Sequence, residues 1–214
     1  MQRRVYQRAR GRAAAALLLA GSVTLSGCGL LSGPRPLSAD APLSMEVSST
    51  GVTTRNSVLK PQFTCYGARQ SPPVTWTGGY PSRTRSYAIV MDDADAPITP
   101  RVYWLVVDIN STTTDIQAGV LPRPQARVAD NSTGHASYDP PCPTGAPHKY
   151  RITVYALNAV LGPAPPGGPQ LLATWTAIAP HVIARGTMTV TVCPGPGQGP
   201  TTAVCKAARS GSGE

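Results

Sequence analysis

Two short segments carry the side chains best suited to chemistry. Asp93-Ala-Asp-Ala-Pro97 places two carboxylates two residues apart, and Pro141-Cys-Pro-Thr-Gly-Ala-Pro-His148-Lys-Tyr150 carries a histidine and a phenol at the end of a Pro/Gly loop. Asp93 beside His148 would offer a negative and a positive group together, a pair suited to a zwitterion or a phosphate monoester. Tyr150 can donate to a phosphate or carboxylate oxygen, backbone N–H groups around Gly145 can add donors, and Pro97 and Trp104 can supply apolar walls. A plainer use competes: Asp93 capping a loop, Asp95 anchoring the Pro97 turn by accepting from nearby amides, and His148 as a satisfied buried histidine. Asp93, Asp95 and His148 could also hold a divalent cation, but turn carboxylates account better for the spacing, so no metal or other cofactor is assigned. The chain lacks a Gly-x-Ser-x-Gly elbow, a His-Glu-x-x-His helix and a phosphate-cradling Gly loop, and it is read as a binding protein rather than an enzyme. His135 and His181 are read as surface or loop residues.

Apolar, β-rich runs flank both segments. Tyr87–Met91 is almost unbroken in its apolar character, as in a strand buried on both faces, and Asp93 follows at its end. Val102–Ile109 reads as a second strand with Tyr103 and Trp104 near its start, and Tyr150–Leu157 as a third. Further strands are expected at about 43–48, 74–77 and 187–192. Leu171, Leu172, Trp175, Ile178 and Val182 share a stripe at helical spacing, in a helix that Pro180 should kink or split. The connections are Pro/Gly/Thr loops rather than helices, which argues against parallel βαβ units. An antiparallel β-sandwich with one or two peripheral helices is the expected architecture.

In this order, these residues resemble the phosphatidylethanolamine-binding protein family, also called Raf-kinase-inhibitor-like proteins. There an Asp-Pro-Asp-Ala-Pro motif, a His beside an aromatic residue, and a Gly/Pro loop ending in His-Arg-Tyr surround a small anion-binding pocket. By that resemblance Asp93, Asp95 and Pro97 match the first element, and Pro141, Gly145, His148 and Tyr150 the last. Cys65-Tyr-Gly-Ala-Arg-Gln-Ser-Pro-Pro-Val-Thr-Trp76 is similar to the family's Gly-x-x-x-Ser-Pro-Pro-x-x-Trp segment. The resemblance covers roughly residues 44 to 192 and implies the same sandwich fold. Two positions depart from the pattern. Ala94 replaces a proline, a mild change, and Tyr103 stands where the first pocket His is expected, immediately before Trp104. A tyrosine there donates one hydrogen bond but stays neutral at ordinary pH.

The first 27 residues read as a targeting segment. Five arginines precede an apolar stretch, Ala13–Leu25, too short for a membrane span, and Leu25-Ser-Gly-Cys28 has the form of a bacterial lipobox. Cleavage before Cys28 and acylation of its sulfur would anchor the protein in the cell membrane at the extracytoplasmic face. Residues 28–42 then form a tether, 43–206 the folded domain and 207–214 a polar tail. The whole chain has a formal charge of +9; without the leader arginines, 14 basic residues face 10 acidic ones, a net +4 with no basic run suited to nucleic acid. With 23 Pro and 21 Gly lying mainly between apolar runs, the loops are expected to be ordered. If Cys28 is acylated, four cysteines remain and three pairings are open. The short excursion from Cys193 to Cys205 favours a local bridge, leaving Cys65 with Cys142, as befits an oxidising compartment.

Two readings of function remain. One is a lipid-anchored binding module whose pocket takes a small phosphorylated or carboxylated ligand such as a phospholipid headgroup. The other is an inhibitory or adaptor surface for a protein partner, with a vestigial pocket. A hydrolase built on Asp93 and His148 is a weaker third.

Overall fold

A computed structural model describes residues 41–96, 101–121, 124–163, 170–199 and 202–210, all within one compact unit. Eight strands arise from the β-branched and aromatic runs: β1 (Met45–Ser48), β2 (Val74–Gly78), β3 (Ser86–Asp93), β4 (Val102–Asn110), β5 (Asp115–Ile116), β6 (Arg127–Ala129), β7 (His148–Leu157) and β8 (Val182–Val192). They form two antiparallel sheets, ordered β1-β2-β5 and β6-β4-β3-β7-β8. The expected sandwich is therefore the observed fold.

The main core lies between the sheets, where Met45, Val74 and Trp76 of the small sheet meet Ile89, Met91, Val106, Ile152 and Val154 of the large one. On the large sheet's other face, Ala88, Val90, Leu105, Val107 and Leu157 pack with Ile178 of α1 (Gln170–Ile178), and Leu171 and Trp175 lie against the same cluster. A sheet covered on both faces explains why Tyr87–Met91 shows no polar alternation, as read from the sequence. Each fully buried aliphatic side chain here contributes roughly 1.5–3 kcal/mol of transfer free energy.

The helix prediction requires correction. α1 stops at Ile178, a 3-10 turn spans Ala179–His181, and Val182 already begins β8. Pro180 has no N–H for the helical ladder and its ring crowds the preceding turn, so the segment changes structure there instead of bending. Leu172, placed on the buried stripe by its spacing, is 52% exposed. A second helix, α2 (Ala203–Ser210), crosses residue 206, where the sequence placed the end of the domain.

Gly186 shows how the two sheets close on each other. A Cβ there would sit 2.4 Å from the carbonyl oxygen of Met45, so β1 can cross β8 only where that strand has no side chain.

Candidate functional site

The C-terminal end of β3 and the N-terminal end of β7 lie side by side, with Asp93 opposite Tyr150 in the antiparallel register. His148 and Tyr150 are two residues apart in β7, so both side chains point to the same face of the sheet. His148 thus lies inside the strand, pairing with Val192 of β8, rather than in the loop before it. The His148 Nδ1 and Asp93 Oδ2 atoms are 3.8 Å apart, with the His side chain 42% and the Asp side chain 14% exposed. Such a pair can attract across the gap but makes no direct hydrogen bond.

A β-bulge brings in the third element. Between Met91↔Trp104 and Asp92↔Val102 the β3–β4 register shifts by one residue, and Tyr103 is the extra residue. A bulge re-aims side chains, which is how adjacent Tyr103 and Trp104 both reach the core between the sheets. The Tyr103 ring meets Tyr150 edge-to-face, with centroids 5.1 Å apart. Burial pushes both phenols up from their ordinary range; the neighbouring Tyr103 hydroxyl and the Asp93 charge push Tyr150 up further, while the charge on Arg101 opposes the rise at both.

Arg101 was not singled out by the sequence. Its guanidinium carbon lies 4.9 Å from the Tyr103 ring centroid, and its Nη2 is 3.2 Å from Asp139 Oδ2. Its carbonyl accepts from the Asp93 N–H at 3.0 Å. Two residues before Tyr103, Arg101 thus holds a guanidinium over the Tyr103 π-face while pairing with Asp139. A lone arginine after a proline carries no sequence signal; only the bulge and the Asp139 loop bring it here.

The remaining candidate residues divide by what already occupies them. Asp95 Oδ2 accepts from the Lys149 N–H at 2.7 Å, the Asp95 N–H donates to Asp93 Oδ1 at 2.9 Å, and the Ala94 N–H donates to the Lys149 carbonyl at 2.9 Å. These bonds clip the acidic turn to the start of β7, the anchoring role weighed for Asp95. Asp93, Asp95 and His148 bring one ligand-type atom each within 4.8 Å of one another, yet one oxygen of each carboxylate is already a backbone acceptor. Gly145 requires correction as a donor: its N–H goes to the Gln198 carbonyl at 2.7 Å and is not available to a ligand. Its φ of +86° suits a residue without a Cβ. Trp104 is likewise not a pocket wall; it is buried in the core with its ring edge-to-face on Tyr138. Pro97 lies outside the described residues.

The loop before β7 is held from both sides. Cys65–Cys142 and Cys193–Cys205 are both bridged, the pairing the sequence favoured. Buried Pro141 accepts from the Cys65 N–H at 3.1 Å, and the Tyr66 hydroxyl donates to the Pro143 carbonyl at 2.6 Å. On the sheet's opposite face, Asp92 pairs with Arg151 through two hydrogen bonds, and this bonding raises the Arg151 pKa.

Two antiparallel sheets enclose one core, and Asp93, Tyr103, His148 and Tyr150 gather where β3, β4 and β7 end. The family model described as phosphatidylethanolamine-binding protein matches residues 49–193. The chain therefore belongs to the phosphatidylethanolamine-binding protein family. A UPF0098 protein of Mycobacterium tuberculosis is 39% identical over 102 residues, 46% of this chain and 47% of that protein. Another protein of that organism, named "Putative lipoprotein LppC", is 38% identical over 109 residues, 50% of this chain and 52% of its own length. The aligned region thus spans about half of each mycobacterial relative. Among solved structures, E. coli YbcL, described as a member of the mammalian PEBP family, superimposes with a TM-score of 0.59 at 26% identity, covering 70% of this chain and 98% of its own.

Proposed function

We propose that the cleft formed by Asp93, Arg101, Tyr103, His148 and Tyr150 binds a small ligand carrying a phosphate or carboxylate, such as a phospholipid headgroup. The observation that carries this reading is the Arg101 guanidinium over the Tyr103 ring, with Tyr103 edge-to-face on Tyr150, which shares a strand face with the half-exposed His148. Asp93 adds a negative group suited to the ammonium end of a zwitterion. Family membership supports a binding role over a catalytic one, and the expected turnover of a phosphate monoester such as p-nitrophenyl phosphate is nil.

Calorimetric titration of the purified protein with phosphate, phosphoethanolamine and phosphocholine tests the proposal. Arg101→Ala should weaken binding at least tenfold, equivalent to about 1.4 kcal/mol, and His148→Ala should weaken it as well. No heat with any of the three, or affinities unchanged in both variants, would refute it. The same result would favour the inhibitor or adaptor reading, which has its own support: the Gly145 N–H and the Asp95 carboxylate are already bonded to the Gln198 carbonyl and the Lys149 N–H.

The proposed location is the extracytoplasmic face of the membrane, through an acylated Cys28. The lipobox and the similarity to a protein named as a lipoprotein support this; among the described residues no helix is long and apolar enough to cross a membrane. Cys28→Ala should abolish labelling by an alkyne-tagged fatty acid and shift the protein out of the membrane fraction. Unaltered labelling in that variant would exclude the anchor.

A further inference from the structure

The end of the sandwich opposite the Asp93–His148 cleft gathers four segments. Ala41 and Pro42 lie against β8, where the Pro42 carbonyl accepts from the Arg185 N–H at 3.0 Å and the Ala41 carbonyl from Arg185 Nε at 3.1 Å. The turn before β3 joins them: the Gly79 N–H donates to the Ser44 carbonyl at 2.9 Å and the Arg85 N–H to the Leu157 carbonyl at 2.7 Å. The segment after β7 closes the group, its Asn158 N–H donating to the His181 carbonyl at 3.0 Å and its Ala159 carbonyl accepting from the Ser86 hydroxyl at 2.6 Å. β7 is 10 residues long, so about 33 Å separates this end from the cleft.

This end exposes apolar and cationic side chains together. Leu43 is 67% exposed, and Tyr80 and Val160 are exposed as well. Arg83 and Arg85 are exposed in the same turn as Tyr80, with the Arg83 guanidinium carbon 5.4 Å from the Tyr80 ring centroid. Among the described residues neither arginine is in an ion pair. No Asp or Glu occurs in residues 47–91 or 140–213, so the turn, the segment after β7 and the start of β8 carry none. Glu46 is the acidic residue of β1, and Asp108, near the end of β4, is buried and paired with Arg127. Guanidinium groups beside a tyrosine and an exposed leucine suit the headgroup boundary of a bilayer, where phosphates accept from arginine and aromatic rings settle. The proposed tether ends here too. Residues 28–40 reach at most about 45 Å when fully drawn out. The cleft end could touch the anchoring bilayer only by using most of that reach, and the Ala41 end needs none of it.

We propose that this end docks on an anionic phospholipid bilayer, with Arg83 and Arg85 on lipid phosphates and Leu43, Tyr80 and Val160 at the headgroup boundary. The proposal rests on the acylated Cys28 for its nearby bilayer. The acyl anchor holds the protein at the membrane, and this surface fixes which way the protein faces. The Asp93–His148 cleft then opens away from the bilayer, toward ligands that arrive through water.

Residues 28–214 hold every described strand and both bridges, so this chain with Cys28→Ala folds without leader or acyl group and serves as the probe. In flotation assays it should bind phosphatidylglycerol vesicles at least tenfold more tightly than phosphatidylcholine vesicles. Arg83→Glu combined with Arg85→Glu should weaken that binding at least about tenfold, and Leu43→Ser combined with Tyr80→Ser at least about threefold. Lys60→Glu combined with Lys149→Glu changes the net charge equally at the cleft end, where Thr191 pairs with Lys149 and accepts from the Leu59 N–H. That control should alter binding less than twofold. Amide exchange over 79–85 should slow on the vesicles while exchange over 144–149 does not. The proposal is overturned if neither vesicle binds, if both bind equally, if the two charge reversals cost the same, or if 144–149 is protected in place of 79–85. Because the probe carries no acyl group, failure of the Cys28 labelling and failure of this surface are separate results.

Discussion

Buried tyrosines shape this protein's response to alkali. Burial raises the Tyr155 pKa from 10 to about 12, with the charge of Asp92 adding to the rise. Between these values the native state keeps a proton that the unfolded chain has released, so stability falls as pH rises. The contribution is fully present below pH 10 and lost toward pH 12, on the order of 2–3 kcal/mol for a shift of about two units. Urea unfolding at pH 9, 10 and 11 should show the loss, and Tyr155→Phe should make the decline shallower; an unchanged slope would mean that Tyr155 does not keep its proton in the fold. Residue identity was legible in the sequence where a motif carried it, as with Asp93, His148 and Tyr150. It was illegible where a distant backbone decides: the Gly145 N–H is claimed by Gln198, more than fifty residues away, and Arg101 gains its place from a bulge.

Among elements, the long strands were readable because their apolar runs continue through both covered faces of the large sheet. β5 and β6, at two and three residues, were not, since so short a pairing leaves no periodicity and depends wholly on β2 and β4 being in place. The helix stripe overreached past Ile178: Pro180, expected to kink or split the helix, is followed by β8 instead of a second helical piece. The crossing of β1 over β8 is the most exacting contact at this scale. Gly186→Ala would drive a methyl group into the Met45 carbonyl and the Val47 side chain, so the sheets must separate locally. A destabilisation of about 1–3 kcal/mol is expected from such overpacking, read as a lower urea midpoint. A midpoint matching the parent protein would show that the crossing is looser than 2.4 Å implies.

At the scale of the molecule, the two bridges differ in what they restrain. Cys65–Cys142 closes 77 residues and Cys193–Cys205 only 12. By the chain-entropy relation, removing the first should cost about 4.5 kcal/mol and the second about 3 kcal/mol. Paired Cys→Ser variants measured by denaturant unfolding test that order, and the reverse order would show that contacts in the folded state outweigh loop entropy here. Cysteine count and spacing made both pairings readable in advance.

The Cys65–Cys142 bridge also ties the proposed ligand site to the chain's history. It fastens the loop that leads into His148 and Tyr150 at a point 77 residues from its partner, with β2 through β6 between them in the chain, so this fastening is complete only once an oxidant has acted. A copy that matured in a reducing compartment could form both sheets yet leave that loop unmoored. Competence at the cleft would then serve as a record of where the polypeptide finished folding.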